Sequence, residues 1–505
     1  MQFRISLATE DETRRLAEDI AAILRIGDVI ALEGDLGAGK TTFARFLLRA
    51  FADNPALEVP SPTFTLAQSY PADTSSMRLS MHHFDLYRLE SSDEIDEIGL
   101  HAALEDGAAL VEWPQRAGAE LPYDALWISL EITGDMSRSA DLTTAAPDRW
   151  RDRVERTFAI RQFLDDNGAG LAERRHLTGD ASARVYERIR SDGQRRVLMN
   201  APALPDGPPV RDGLPYSRIA HLAESVRPFV AIGQALRDRG LSAPALSAVD
   251  MDQGLLLLED LGNALVVADN APIVERYEVA IDLLAAMHEM KWPDTAPLPD
   301  GSQYRLPPYD EAAFLIEAEL YPDWYVPHVT GEATAPEAKA EFVSLWRNLV
   351  AALGDCNEGW VLRDFHSPNL IWLPERDDIH RIGLIDFQDA LVGPSAYDVA
   401  ALCQDARVDV EETLERHLVD RYCASRRAAG ADFDAERFHR DYAILAAQRA
   451  TKILGIFARL NDRDAKPIYL RHIPRLNAYL DRCLAHPILA EIRPWYQINA
   501  PETAL

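Results

Sequence analysis

The chain has 505 residues, more than one hydrophobic core normally organises, so two or three domains are expected. Hydrophobic residues make up 47%, and 81 acidic against 52 basic side chains give a net charge of -29, which excludes tight unaided binding to a nucleic-acid backbone. The start Met-Gln-Phe-Arg-Ile has no basic-then-apolar leader, and no run reaches the roughly 18 apolar residues of a membrane span, so a cytoplasmic protein is expected.

Taken in order, Thr9-x-x-Glu12 is a capping box opening an amphipathic helix through Leu24, and Gly27 precedes a short apolar strand, Val29–Leu32. Gly34-Asp-Leu-Gly-Ala-Gly39-Lys40-Thr41 follows, then a helix over Thr42–Phe51. A glycine-rich turn between strand and helix aims the N–H groups of Gly37, Ala38, Gly39, Lys40, Thr41 and Thr42 at phosphate oxygens. Lys40 adds charge for the terminal phosphates, and Thr41 offers a hydroxyl to Mg2+, so ATP or a related nucleotide is the expected cofactor. Further strands are expected at Arg78–Leu86, Ala109–Glu112 and Ala125–Thr133, closing an α/β sheet near residue 134. Asp85 and Glu112 end two of them. Asp85 can hold Mg2+ directly or through water, and Glu112 can ligate the metal or orient the attacking water.

Residues Gly134–Pro147 are rich in Ser, Thr, Asp and Ala without apolar periodicity, which reads as a linker. The expected organisation is therefore a first domain over 1–140, a linker over 141–154 and a second domain over 155–495. That second part opens on a hairpin, Arg184–Arg190 and Arg195–Met199 about the turn Ser191-Asp192-Gly193-Gln194, after which helices dominate. Arg363-Asp364-Phe365-His366-Ser367-Pro368-Asn369 precedes an apolar run, Leu370–Leu373, and a strand, Ile382–Ile385, that delivers Asp386. An Asp and an Asn five apart, followed by a second Asp after a strand, are the parts of a phosphoryl-transfer site. Asp364 would accept the substrate hydroxyl's proton, with Asn369 and Asp386 holding Mg2+. Other features read as structure. His288 lies on an apolar helical face, His82 and His83 lack a second pair at metal spacing, and Cys356, Cys403, Cys423 and Cys483 read as reduced thiols. Tyr321-Pro-Asp-Trp324-Tyr325 suits either packing or the ring faces of a sugar pocket.

The loop Gly34–Thr41, Ser-Pro-Thr-Phe at 61–64, His-Phe-Asp-Leu-Tyr-Arg at 83–88 and Glu-Trp-Pro at 112–114, in that order, resemble the TsaE family over roughly residues 1 to 135. That family's small ATPase supports threonylcarbamoyladenosine formation on tRNA. The resemblance implies a P-loop NTPase fold, with Thr9 near the nucleotide, Thr63 in a switch segment, Asp85 and Glu112 serving magnesium, and Trp113 functional. It also implies a protein partner, the threonylcarbamoyl-transferase complex, and so only an indirect link to tRNA, which suits the acidic balance.

The Asp364, Asn369 and Asp386 set resembles the aminoglycoside phosphotransferase superfamily, with a protein-kinase-like α+β fold, over roughly 155 to 490. By that resemblance Leu255–Gly262, including Glu259, is the hinge that meets adenine, Gly393–Ala400 steadies the catalytic loop through Asp398, and Leu177–Ala183 covers the phosphates. The third-strand lysine of such kinases should fall near Met199, where none stands. Leu-Thr-Gly-Asp-Ala-Ser at 177–182 and Leu-Met-x-Ala-Pro at 198–202 resemble the AmgK-type kinases of cell-wall recycling, which phosphorylate the anomeric hydroxyl of N-acetylmuramate and N-acetylglucosamine. The alternatives are a pseudokinase interaction module, or a kinase for an aminoglycoside or choline-like substrate.

Overall fold

The computed structural model describes residues 1–72, 79–89, 94–177, 184–191, 193–354, 356, 358–430 and 433–500. They divide into two compact units, Met1–Ala201 with Ala248–Leu257, and Pro202–Ser247 with Leu258–Leu505.

The first unit starts with strand β1 (Gln2–Leu7) and helix α1 (Glu10–Ile23). Thr9 caps α1: its hydroxyl accepts from the Glu12 amide at 3.3 Å, while Glu12 reaches back to the Ala8 amide. Strand β2 (Val29–Gly34) leads into α2 (Lys40–Phe51), then come β3 (Ala67–Tyr70), β4 (Ser80–Asp85), two short helices α3 (Glu94–Glu97) and α4 (Leu100–Asp106), β5 (Gly107–Glu112), β6 (Leu126–Ile132) and β7 (Arg138–Thr143). The sheet runs β1-β7-β6-β2-β5-β4-β3, with β2 parallel to β5 and β6, and β4 parallel to β5. Central β2 is apolar on both faces because both are covered. Ile30 and Leu32 meet Leu16, Ile20, Phe43 and Leu47 of α1 and α2. Val29 and Ala31 face the opposite cluster with Phe84, Leu100 and Val111.

Two expectations change here. The sheet does not close near residue 134: β7 pairs with both β1 and β6, so its register fixes the amino-terminal strand. Nor is 141–154 a linker, since it holds the end of β7 and the start of α5 (Pro147–Asp166), a 20-residue helix. Arginines anchor α5. Arg149 and Arg153 bind the carboxylate of Asp28, and Arg161 binds Asp19 in α1. After α5, β8 (Glu173–Leu177), β9 (Val185–Ser191) and β10 (Gln194–Asn200) form an antiparallel sheet that continues through strands Leu255–Glu259 and Leu246–Asp250. The expected hairpin is present, with Asp192 of its turn outside the described residues. Residues 178–183 of the expected phosphate-covering loop also lie outside them, as does Arg78 of the strand expected before β4.

The second unit is mostly helical, built around the buried 28-residue helix Ala435–Asp462. Small antiparallel ladders interrupt the helices, among them Glu358–Val361 with Leu391–Pro394 and Leu370–Trp372 with Ile382–Leu384. No helix among the described residues is long and apolar enough to cross a membrane.

Candidate nucleotide and catalytic sites

In the first unit the loop between β2 and α2 borders a cavity of about 440 Å³. Two glycines make the loop possible. At Gly34, with φ +146°, a Cβ would fall 2.5 Å from the Leu130 carbonyl oxygen, and Gly39 enters α2 at φ +106°. Gly37, Gly39, Lys40, Thr41 and Thr42 line the cavity, opposite Asp85, Glu112 and Trp113. The parallel register that aligns Asp85 with Glu112 puts the two carboxylates on neighbouring strand ends. Thr41 Oγ1 donates to Glu112 Oε2 at 2.9 Å, and His83 Nε2 lies 3.0 Å from the other Glu112 oxygen. Ser61 and Thr63 hydroxyls donate to Asp85 Oδ2 at 2.6 and 2.7 Å, and the Tyr87 amide donates to Oδ1 at 3.1 Å.

Lys40 Nζ donates to the carbonyls of Gly34 and Asp35 at 2.7 and 3.0 Å and sits 3.8 Å from the centre of the Trp113 ring. Burial lowers its pKa, and the charges of Glu112, Asp85 and Asp35 oppose that shift. Trp113 itself adopts a left-handed conformation, φ +60°, uncommon for a bulky residue.

Two expected residues stand apart. Thr9 lies outside the residues that line the cavity, with its hydroxyl capping α1, and the Ala38 side chain packs into the core while its backbone stays in the loop. Others were not foreseen. His83 orients Glu112 from a fully buried position, and Arg138 on β7 donates to the Ala38 carbonyl at 3.2 Å and to that of Gly37 at 3.4 Å. Arg138 had no sequence signal, since it lies in a Ser- and Asp-rich stretch.

In the second unit the backbone turns sharply before Asp364: Arg363 has φ +72°, and the Asp364 amide donates to the Leu362 carbonyl at 2.8 Å. Asp398 holds this turn. Its two oxygens accept the Leu362 and Arg363 amides at 2.6 and 2.8 Å, so it is structural, as expected. Burial pushes the Asp398 carboxyl up to about 7, with the two amides opposing. Asp405, unforeseen, does the same downstream by accepting the Ser367 and Arg407 amides. The ladder pairs Leu370 with Leu384, and the Ile385 amide donates to the Asn369 carbonyl at 3.1 Å, which brings Asp386 beside Asn369. Asn369 Nδ2 donates to the Asp364 carbonyl at 3.0 Å, which ties the amide side chain to the catalytic turn. Gln388 Nε2 donates to Asp386 Oδ1 at 2.8 Å, and Asp386 has φ +58°.

Burial disfavours the charged form of Asp364, but His366, Lys452, Arg363 and Arg449 outweigh it and hold the carboxyl below its ordinary range. It is an anion at neutral pH. Arg363 is itself buried and ion-paired to Glu317, which Lys452 also reaches at 2.8 Å. The Glu259 side chain is engaged within the protein, which leaves the expected backbone contact of the hinge untouched. Its carboxylate accepts the Ala245 amide at 3.1 Å and an Arg376 nitrogen at 3.0 Å, so the side chain braces the protein, and any contact with nucleotide would come from its backbone. Met199 on β10 is fully buried, so no cation stands where a third-strand lysine was sought.

Comparison with known proteins supplies the remaining step. Residues 7–140 match the family described as threonylcarbamoyl adenosine biosynthesis protein TsaE, and residues 173–439 match the phosphotransferase enzyme family. The N-acetylmuramate/N-acetylglucosamine kinase of Caulobacter vibrioides is 39% identical over 363 residues, covering 69% of this chain and 97% of that protein. The tRNA threonylcarbamoyladenosine biosynthesis protein TsaE of Bacillus subtilis is 37% identical over 145 residues, 28% of this chain and 85% of its own length. The chain belongs to both families. The Pseudomonas putida N-acetylmuramate/N-acetylglucosamine kinase aligns at 34% identity over 66% of the chain and 91% of its own length. A TsaE domain thus precedes a phosphotransferase domain, and the protein is an enzyme with two ATP-handling modules.

Proposed function

We propose that the TsaE domain is a P-loop ATPase serving threonylcarbamoyladenosine formation on tRNA, and that the phosphotransferase domain phosphorylates the anomeric hydroxyl of N-acetylmuramate or N-acetylglucosamine in cell-wall recycling. In the first, the loop amides and Lys40 bind the ATP phosphates. Mg2+ suits the all-oxygen set of Thr41, Asp85 and Glu112, which lie together at the cavity wall. Glu112, oriented by His83, also positions the attacking water. The partner is the threonylcarbamoyl-transferase complex, and tRNA is reached only through it, in keeping with a net charge of -29 and a cytoplasmic setting.

In the phosphotransferase domain, Asn369 and Asp386 offer oxygen ligands for Mg2+, which neutralises phosphate charge when bound. Asp364 accepts the hydroxyl proton as the sugar oxygen bonds to the γ-phosphorus and the bond to ADP breaks. The carrying observation is the ladder that sets Asp386 beside Asn369, with Asn369 bonded to the turn holding Asp364. The test is ATP consumption by the full chain with a panel of amino sugars. Stoichiometric ADP and sugar 1-phosphate are expected with one or both N-acetylated sugars. Buried Met199 favours a second reading, a nucleotide-binding scaffold, and absence of turnover with every phosphate acceptor would establish it.

A further inference from the structure

A second cavity, of about 480 Å³, lies within the helical unit. Ile316 lines it, and the next residue, Glu317, holds Arg363 immediately before Asp364. Lys452, which pairs with the same Glu317, lies two helical turns before another lining residue, Arg459. The lining residue Tyr216 is also within electrostatic reach of Glu317, Lys452 and Arg363, the groups that anchor the turn before Asp364.

Its charge runs against the chain as a whole. Four cations, Arg211, Lys339, Arg459 and Arg463, face only two carboxylates, Glu319 and Asp323. Three of the cations are accounted for. Glu319 accepts from Arg211 at 2.7 Å, Lys339 reaches Asp323 at 2.6 Å, and Arg463 binds the neighbouring Asp464 through two nitrogens at 2.7 and 2.8 Å. Among the described residues no carboxylate lies within 4 Å of the Arg459 guanidinium, Asp464 acts on it only from farther off, and its Nε is buried without a hydrogen-bond partner. Its guanidinium carbon lies 5.4 Å from the centre of the Tyr216 ring, a contact that gives Nε no acceptor. A buried unsatisfied donor is costly, and an anionic ligand would relieve that cost.

The walls suit a sugar. Trp324 lines the cavity within Tyr321–Tyr325, a single π-helical turn of the kind that often marks functional sites, while Tyr321 and Tyr325 are packed in the core. Trp324 and Tyr216 offer the apolar ring surface against which sugar C–H groups pack.

We propose that this cavity receives the phosphate acceptor and that Arg459 binds a carboxylate on it, so that the preferred substrate class is an N-acetylated amino sugar bearing a carboxylate. The inference rests on the amino-sugar kinase reading above and adds the group that selects the acidic sugar. N-acetylmuramate, with its lactyl carboxylate, and N-acetylglucosamine, without one, are the paired probes.

The experiment compares kcat/KM for the two sugars in the full chain and in Arg459→Gln. The N-acetylmuramate to N-acetylglucosamine ratio is expected to fall by roughly 10- to 100-fold, the worth of a charge-assisted hydrogen bond, mainly through KM. An unchanged ratio overturns the proposal. If Arg459→Gln does not fold, Arg459→Lys decides, since it keeps the charge but not the planar fork, and it should lower the ratio less. If the wild type phosphorylates neither sugar, the kinase reading fails separately. Calorimetric titration with N-acetylmuramate then tests the cavity alone: binding lost in Arg459→Gln supports it, and absence of binding to the wild type overturns it.

Discussion

Lys40 shows how a motif residue is placed by its surroundings. The glycine-rich spacing identifies it, but its contacts with the Gly34 and Asp35 carbonyls and the Trp113 ring come from a chain turn and from a residue 73 positions downstream. Lys40→Ala should lower ATP hydrolysis by the TsaE domain by roughly 100-fold, as expected for loss of one preorganised charge at developing phosphate charge. A hydrolysis assay within a few-fold of wild type would contradict that role. Thr9 marks the limit of motif reading: the same hydroxyl satisfies a helix cap and lies outside the cavity. His288 is the packed core residue expected from its apolar face, with Nδ1 2.8 Å from the Tyr422 hydroxyl. Burial, with Arg426 adding repulsion, lowers its pKa from 6.5 to about 3. The unfolded chain therefore takes up a proton near pH 6.5 that the folded protein resists until about pH 3. The stability is fully present above pH 6.5 and is lost as pH falls through that window, by at most about 1.4 kcal/mol per pH unit. His288→Gln should narrow the gap between urea midpoints at pH 7 and pH 5. An unchanged gap would show that another group carries the dependence.

At the scale of elements, the helix α5 is where sequence reasoning failed, and the reason is physical. The side turned to the first sheet's helix carries Arg149, Arg153 and Arg161 as well as Trp150 and Leu164, so its apolar residues trace no clean face, and its first eight residues, 147–154, read as part of a linker. Its partners, Asp28 and Asp19, lie more than a hundred residues earlier. Arg174 on β8 completes this network by bridging Asp19, at 2.6 Å, and Glu187 on β9, also at 2.6 Å. Removing one partner of a buried network leaves carboxylates uncompensated. Arg174→Met should therefore destabilise the first unit by about 3 kcal/mol, read as a lowered urea midpoint. A loss under about 1 kcal/mol would mean that Arg161 alone suffices for Asp19. By contrast α1, α2 and the strands β2, β5 and β6 were legible, because their burial is apolar and periodic.

For the whole molecule, two sets of reacting groups stand on two distinct constellations, each contained in its own compact unit. Asp364→Asn should lower sugar phosphorylation by about 10²- to 10⁴-fold, the usual contribution of a positioned base, with hydrolysis by the TsaE domain retained. Loss of both activities in that variant would mean the two modules do not act independently. The sequence alone determined the two families, the order of the modules and the motif residues that the structure gathers at the loop cavity and at the Asp364 turn. Those features depend on short-range geometry: a glycine turn, a five-residue spacing, a carboxylate at a strand end. Only the tertiary structure decided that β7 joins the first sheet, that α5 is a strut, that His83 orients Glu112 while Arg138 braces the phosphate loop, and that Arg459 lines a cavity with its Nε unpaired. Each of these depends on charged or polar groups far apart in the chain, whose pairing leaves no local period to read.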